Sequence, residues 1–307
     1  MRRYLAMLLP LVGLLATGCA SSYAYGKADP VSGAVVAVGA ENEYADVIQQ
    51  IGGKYVQVNA ILSNPNTDPH TFEASASVAR LLDSAQLVVQ NGVGYDTFMN
   101  TIEQAAPSSS RKVIDVQKLL GLPDSTPNPH LWYKPTTMPA VAKAIAADLA
   151  QIQPANAAYF QANLTAFDTS LAPWTQAIAA LKAAHPNTPV ATTEPVADYM
   201  LQAAGTDNLT PWSFQADIMN GVDPSPQDVT LQDSLFTRHK VKIFLYNQQV
   251  TDALTQTFLA LAKQDGIPVV GVYETMPTDG YDYQSWMLAE VDAIDRALSS
   301  GQSTEKL

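Results

Sequence analysis

Cysteine is almost missing from this chain: Cys19 is the only one in 307 residues, so no intramolecular disulfide can form. Histidine is scarce at four copies, and charged residues make up only 15%. With 47% hydrophobic residues beside that thin charge, disorder over most of the length is excluded and packed cores are provided for. Basic residues are outnumbered, 17 Lys and Arg against 29 Asp and Glu, and the formal charge of −12 suits a phosphate backbone poorly. Nucleic acid is not an expected partner. Cations or neutral molecules fit the acidic balance better. The apolar run at residues 5–16 also falls short of the roughly 20 residues of an ordinary spanning helix.

That run follows Met1, Arg2, Arg3 and Tyr4, the basic-then-apolar order of a secretory signal. It ends in Leu15-Ala16-Thr17-Gly18-Cys19, which resembles a bacterial lipobox, with Ala16 where such boxes more often carry Leu. A buried free cysteine in a core helix is the plainer alternative. A lone cysteine at a signal boundary is better explained by lipidation than by redox chemistry. The expectation is a signal at 1–18, lipidation of Cys19, and a polar tether at 19–32. That places the protein in the cell envelope, outside the cytoplasm and anchored to the membrane.

Beyond the tether, short β-rich runs alternate with helical patterns, the rhythm of α/β units with mostly parallel sheets. Strands are expected at 35–38, 55–62, 87–90 and 112–116, with helices at 41–50, 75–84 and 96–105 between them. From 138 to 184 the chain is Ala-rich at helical spacing, with Pro154 suited to open a helix and Pro173 to kink one. Alternation then resumes: strands at 190–193, 243–247 and 268–273, helices at 196–204, 227–239, 252–264 and 283–298. The fold class is therefore α/β, with two lobes, each a mostly parallel sheet flanked by helices. An N-terminal lobe at 33–137 and a C-terminal lobe at 188–307 are joined by a helical segment at 138–187. A long helix at 155–184 dominates that segment.

Two of the four histidines share a setting. Asp68-Pro69-His70 follows the strand at 55–62, and Asn128-Pro129-His130 follows the one at 112–116. Ligands of open parallel sheets bind beyond the carboxyl ends of the strands, so both imidazoles are candidates for one edge. Imidazole is the commonest neutral metal ligand, and a preceding proline stiffens the loop that aims it. Turn chemistry alone also accounts for an X-Pro-His. In the second lobe, Glu194 follows 190–193 and Glu274 follows 268–273, where each equally suits a carboxylate at a helix N-terminus. Taken together, His70, His130, Glu194 and Glu274 would make a divalent-metal site in a cleft, with donors suited to Mn(II), Fe(II) or Zn(II). His185, in a Pro-Asn turn, and His239, between Arg238 and Lys240, read as structural. Trp132 and Tyr133 belong to the core or to the wall of the site.

The sequence resembles the zinc/manganese solute-binding lipoproteins of bacterial ABC importers, the metal receptors of cluster A-I. The resemblance rests on Asn64-Pro65-Asn66-Thr67-Asp68-Pro69-His70-Thr71-Phe72-Glu73, Gln90-Asn91-Gly92-Val93-Gly94-Tyr95, Asn128-Pro129-His130-Leu131-Trp132-Tyr133, Thr193-Glu194-Pro195-Val196 and Glu274-Thr275-Met276-Pro277. It runs from about residue 33 to 299. It implies two α/β lobes joined by one long rigid helix, with the ion held between them. His70 and His130 fall on the two N-lobe ligand positions, Glu194 where members carry His or Glu, and Glu274 where most carry Asp. Asp279 competes for that last role. Zinc receptors of this kind commonly have His at the third position and a His-rich loop before the second ligand. Glu194 and the histidine-free segment 117–127 depart from both, which leans toward Mn(II) or Fe(II), although zinc binds such donors well.

The function this implies is a non-enzymatic, monomeric receptor that delivers a divalent metal, manganese before zinc or iron, to the permease of an ABC importer. A metallohydrolase would need an open coordination position and a general base, and no nucleophile–base signature is present. An adhesin or organic-ligand receptor on the same two-lobe plan is the other alternative. It would tolerate loss of His70 or His130.

Overall fold

The computed structural model describes residues 24–25, 29–66, 69, 72–277 and 280–307, so the expected signal at 1–18 and Cys19 lie outside the described residues. The first lobe runs β1 (Ala24–Tyr25), β2 (Val35–Glu41), α1 (Asn42–Gly52), β3 (Val56–Leu62), α2 (Ala76–Ser84), β4 (Leu87–Gln90), α3 (Thr97–Ala105), β5 (Lys112–Asp115) and α4 (Val116–Leu119). Then come α5 (Thr137–Ile152), α6 (Ala157–Ser170) and α7 (Ala172–Ala184). The second lobe runs β6 (Pro189–Thr192), α8 (Asp198–Ala203), β7 (Asp207–Asn208), α9 (Trp212–Met219), α10 (Pro226–Thr237), β8 (Ile243–Asn247), α11 (Ala253–Gln264), β9 (Val269–Val272) and α12 (Tyr283–Ser300).

Among the described residues the strands form two sheets, in the orders β1-β3-β2-β4-β5 and β7-β6-β8-β9. All pairings are parallel except β1 with β3, where Ala24 and Tyr25 lie opposite Asn59 and Val58. The stretch expected to be only a tether thus supplies an edge strand. Side chains alternate between the two faces of a strand, and helices cover both faces of a parallel sheet, so the central strands β4 and β8 are apolar up to their last residue. In β4, Leu87 and Val89 enter one core and Val88 another. In β8, Ile243 and Leu245 part from Phe244 and Tyr246 in the same way.

The first member of each pair belongs to a core that both lobes share. Ile48 of α1, Ile145 of α5, Ile178 of α7 and Ile294 of α12 all contribute to it. Its centre is aromatic: Trp174 meets Tyr283 edge-on at 5.8 Å and Tyr133 meets Trp286 at 5.7 Å. The lobes are therefore joined by continuous packing as well as by chain connectivity. The single helix expected at 155–184 is two, α6 and α7, meeting at Leu171 with φ −78 and ψ −11. Pro173 lies in the first turn of α7 and has no N–H to continue the ladder, which explains the break.

α12 closes the second lobe and packs along α7. A capping box starts it: Asp282 Oδ1 accepts from Ser285 N at 2.9 Å, and Ser285 Oγ accepts from Asp282 N at 3.0 Å. Gly301 ends it at φ +70, a left-handed conformation that glycine adopts without a Cβ penalty. Asp282→Ala is expected to cost about 1 kcal/mol of stability, measured as a lower urea midpoint; an unchanged midpoint would show the cap to be dispensable.

Candidate metal centre

Parallel strands deliver their carboxyl ends to one edge, and here the edges of the two sheets meet. β2 and β4 bring Glu41 and the 91–96 turn from the first lobe, while β6, β8 and β9 bring Glu194, Asn247 and Glu274 from the second. Four of the hydrogen bonds across the seam lie close to these residues. Asn42 Nδ2 donates to Met276 O at 2.7 Å, and Met276 N donates back to Asn42 Oδ1 at 2.9 Å. Asn128 Nδ2 donates to Pro195 O at 2.8 Å, and Tyr95 Oη donates to Glu274 Oε2 at 2.9 Å.

His130 is fully buried, one residue before the 3-10 turn Leu131–Tyr133. Because the Asn128 amide nitrogen is committed to Pro195 O, its oxygen faces the histidine and accepts from His130 N at 3.0 Å. The same oxygen lies 2.8 Å from His130 Nδ1. An amide oxygen can only accept, so Nδ1 carries the proton and Nε2 is the nitrogen turned toward the seam. Asn91 steadies the loop through Pro129 O at 2.8 Å, with its own oxygen accepting from Tyr44 Oη at 2.7 Å. Nε2 of His130 stands 3.3 Å from Glu274 Oε2.

The Gln90-Asn91-Gly92-Val93-Gly94-Tyr95 motif explains how Tyr95 reaches that carboxylate. Gly92, Val93 and Gly94 all have positive φ, and a Cβ on Gly92 would stand 2.8 Å from Gln117 Cβ. The tight turn presents Asn91 N and Gly92 N to Asp96 Oδ2 and Oδ1 at 2.6 and 2.9 Å, fixing the backbone beside Tyr95. Burial raises the Tyr95 phenol well above its ordinary range, so it stays a donor.

Glu194 and Glu274 are both buried, and one side chain spans them. Asn247 Nδ2 donates to Glu194 Oε1 at 3.1 Å and to Glu274 Oε1 at 2.7 Å. Gln249 Oε1 accepts from Glu274 N at 2.6 Å and Thr275 N at 2.8 Å, which fixes the loop after β9. Farther in, Glu41 and Glu43 are wholly buried. Burial first, then neighbouring acids, pushes both well above the usual carboxylate range: Asp96 and Glu43 act on Glu41, and Glu274 acts on Glu43. Asp96, buried beneath the turn, rises to about 6. The edge is thus less negative near neutral pH than its count of acids suggests.

Of the four expected ligands, His130 stands against Glu274, and Glu194 is linked to Glu274 through Asn247; His70 and the competing Asp279 lie outside the described residues. Among the described residues no group of three or more His, Cys, Asp or Glu is arranged to hold a metal ion. The contact pair is His130 with Glu274, and Asn247 carries the link on to Glu194. His185 sits elsewhere, 3.1 Å from Ser299 Oγ and 3.6 Å from Asp295, and His239 follows α10 with φ 49. Sequence reasoning missed Asn247, Gln249 and the buried Glu41 and Glu43. Nothing in the local pattern separates these residues from solvated polar groups at strand ends.

The family profile described as zinc-uptake complex component A, periplasmic, matches residues 38–297. The chain belongs to this family. It is 24% identical over 321 residues to the manganese ABC transporter substrate-binding lipoprotein PsaA of Streptococcus anginosus, covering 96% of this chain and 97% of that one. The manganese-binding lipoprotein MntA of Bacillus subtilis is 26% identical over 161 residues, 50% of this chain and 51% of that protein. Among solved structures, the periplasmic zinc-binding protein TroA of Treponema pallidum superposes with a TM-score of 0.74 at 18% identity, over 87% of this chain and 99% of that one. The two-lobe fold is shared with it. The family consists of metal-binding substrate receptors of ABC importers, not enzymes.

Proposed function

We propose that this chain captures one divalent transition-metal ion between its lobes and hands it to the permease of an ABC importer, working as a monomer anchored through lipid on Cys19. The ligands in this reading are His70 and His130 from the first lobe and Glu194 and Glu274 from the second. One observation supports it above the rest, the 3.3 Å between His130 Nε2 and Glu274 Oε2. Two donors each about 2.1 Å from one ion at a tetrahedral angle stand ~3.4 Å apart, so this pair has the spacing of ligands that share an ion. Binding an ion there requires a neutral imidazole and an ionised carboxylate. Two nitrogens, two carboxylates and no sulfur suit Mn(II), Fe(II) or Zn(II), and the hardness of the oxygens leans toward manganese.

A competitive Mn(II)/Zn(II) titration of the purified protein beside Glu194→Ala tests this reading. Stoichiometric binding by the wild type and its loss in the variant are expected. Undiminished binding by Glu194→Ala would remove Glu194 from the site, and a wild type that takes up neither ion would overturn the receptor reading.

A further inference from the structure

We infer that Asn247 sets which metal the site prefers, by limiting how many carboxylate oxygens the second lobe can offer the ion. The inference rests on the receptor reading above. Asn247 ends β8, wholly buried between the two acids. Its two amide protons are divided between them, one to Glu194 Oε1 at 3.1 Å and one to Glu274 Oε1 at 2.7 Å.

The amide cannot turn over. Its oxygen accepts from Gln249 N at 2.9 Å, and its backbone N–H donates to Thr193 Oγ1 at 3.0 Å. A flipped amide would set oxygen against two carboxylate oxygens and N–H against N–H. Glu274 thereby meets His130 through Oε2 alone, the oxygen that also accepts from Tyr95 Oη at 2.9 Å.

The consequence is a bias toward low denticity. Asn247 holds Oε1 of each acid toward itself, and although a hydrogen-bonded oxygen keeps a second lone pair, two-oxygen binding would have to weaken the contacts at 3.1 and 2.7 Å. Each carboxylate is therefore expected to give the ion one oxygen, which with the two imidazoles of the proposed site makes about four protein donors. Zinc is content with about four ligands, whereas hard divalent ions of the manganese type favour about six, oxygen-rich. Asn247 therefore works against the manganese preference that the donor atoms alone would give. A neutral donor also does this without adding a charge that would compete with the ion.

The test compares wild type with Asn247→Ala in the same Mn(II)/Zn(II) competition. The variant is expected to lower the zinc-to-manganese affinity ratio about tenfold, the scale of outer-shell effects on metal sites, because both acids become able to bind through two oxygens. An infrared difference spectrum of metal-bound minus metal-free wild type gives a second readout that needs no variant. One-oxygen carboxylate binding separates the two carboxylate stretches widely, and two-oxygen binding narrows the gap. A wide separation is expected. A narrow one, or an unchanged affinity ratio in Asn247→Ala, overturns the role of Asn247 while leaving the receptor intact. A wild type that binds neither ion overturns both.

Discussion

His130→Ala is expected to lower the affinity for Mn(II) or Zn(II) by more than about a hundredfold, since outer-shell changes alone cost ~10–100-fold and this one removes a ligand. The substitution strikes several contacts at once. Asn128 Oδ1 loses its imidazole partner at 2.8 Å, and Glu274 Oε2 loses its neighbour at 3.3 Å. The same residue governs the response to pH. Imidazole must be neutral to ligate and ordinarily titrates near ~6.5, so binding should weaken as pH falls below about 6. With His70 also a ligand, log K in acid should fall by nearly two per pH unit in the wild type and nearly one in His130→Ala. Isothermal titration between pH 7 and 5 reads both quantities. Wild-type affinity in the variant, or no pH dependence in either protein, would remove histidine from the site.

Glu290→Gln is expected to stabilise the metal-free protein at alkaline pH. Glu290 is fully buried in α12, where its Oε1 lies 3.2 Å from Tyr133 Oη and accepts from Trp286 Nε1 at 3.2 Å. Tyr133 has one hydroxyl proton and a second acceptor, Tyr273 O, at 2.8 Å. A carboxylic acid at Glu290 relieves that competition by supplying its own proton, in line with burial raising Glu290 to about 8. The sign follows from this. Between the ordinary carboxylate value and about 8, the folded state keeps a proton that the unfolded state has lost, so wild-type stability declines as pH rises through that window. Glutamine carries no such penalty. The variant should gain about 3–5 kcal/mol over wild type at pH 9 and under about 1 kcal/mol at pH 5. Urea melts across that range decide it, and parallel pH profiles would show Glu290 to be ionised in the fold.

The plan of the fold is legible in the residue pattern. Its alternation of short apolar runs with helical spacing specifies parallel α/β lobes, and the strands expected at 87–90 and 243–247 coincide with β4 and β8. Strands buried on both faces must be apolar at every position, and that leaves a plain local signal. The second X-Pro-His and the two strand-end glutamates stand out in the sequence for a related reason, since they follow strands of parallel sheets, whose carboxyl edge is where ligands bind. α4 and β7 left no comparable trace, because they carry too few residues for a period to stand out. The break at Leu171 was foreshadowed by Pro173, but whether a proline bends a helix or divides it depends on what packs around it.

Which polar residues are buried, and what they face, follows from long-range packing. Glu41 and Glu43 open a helix in the sequence, where acids ordinarily meet solvent and the helix dipole. Their burial comes from the second lobe closing over that end, with Asn42 bonded to Met276 across 234 residues. Asn247 is one amide among many until β6, β8 and β9 align and set it between two carboxylates. Hydrophobic periodicity is a local property of the chain and can be read along it. The pairing of buried polar groups is set by long-range packing, and it appears only when distant segments meet.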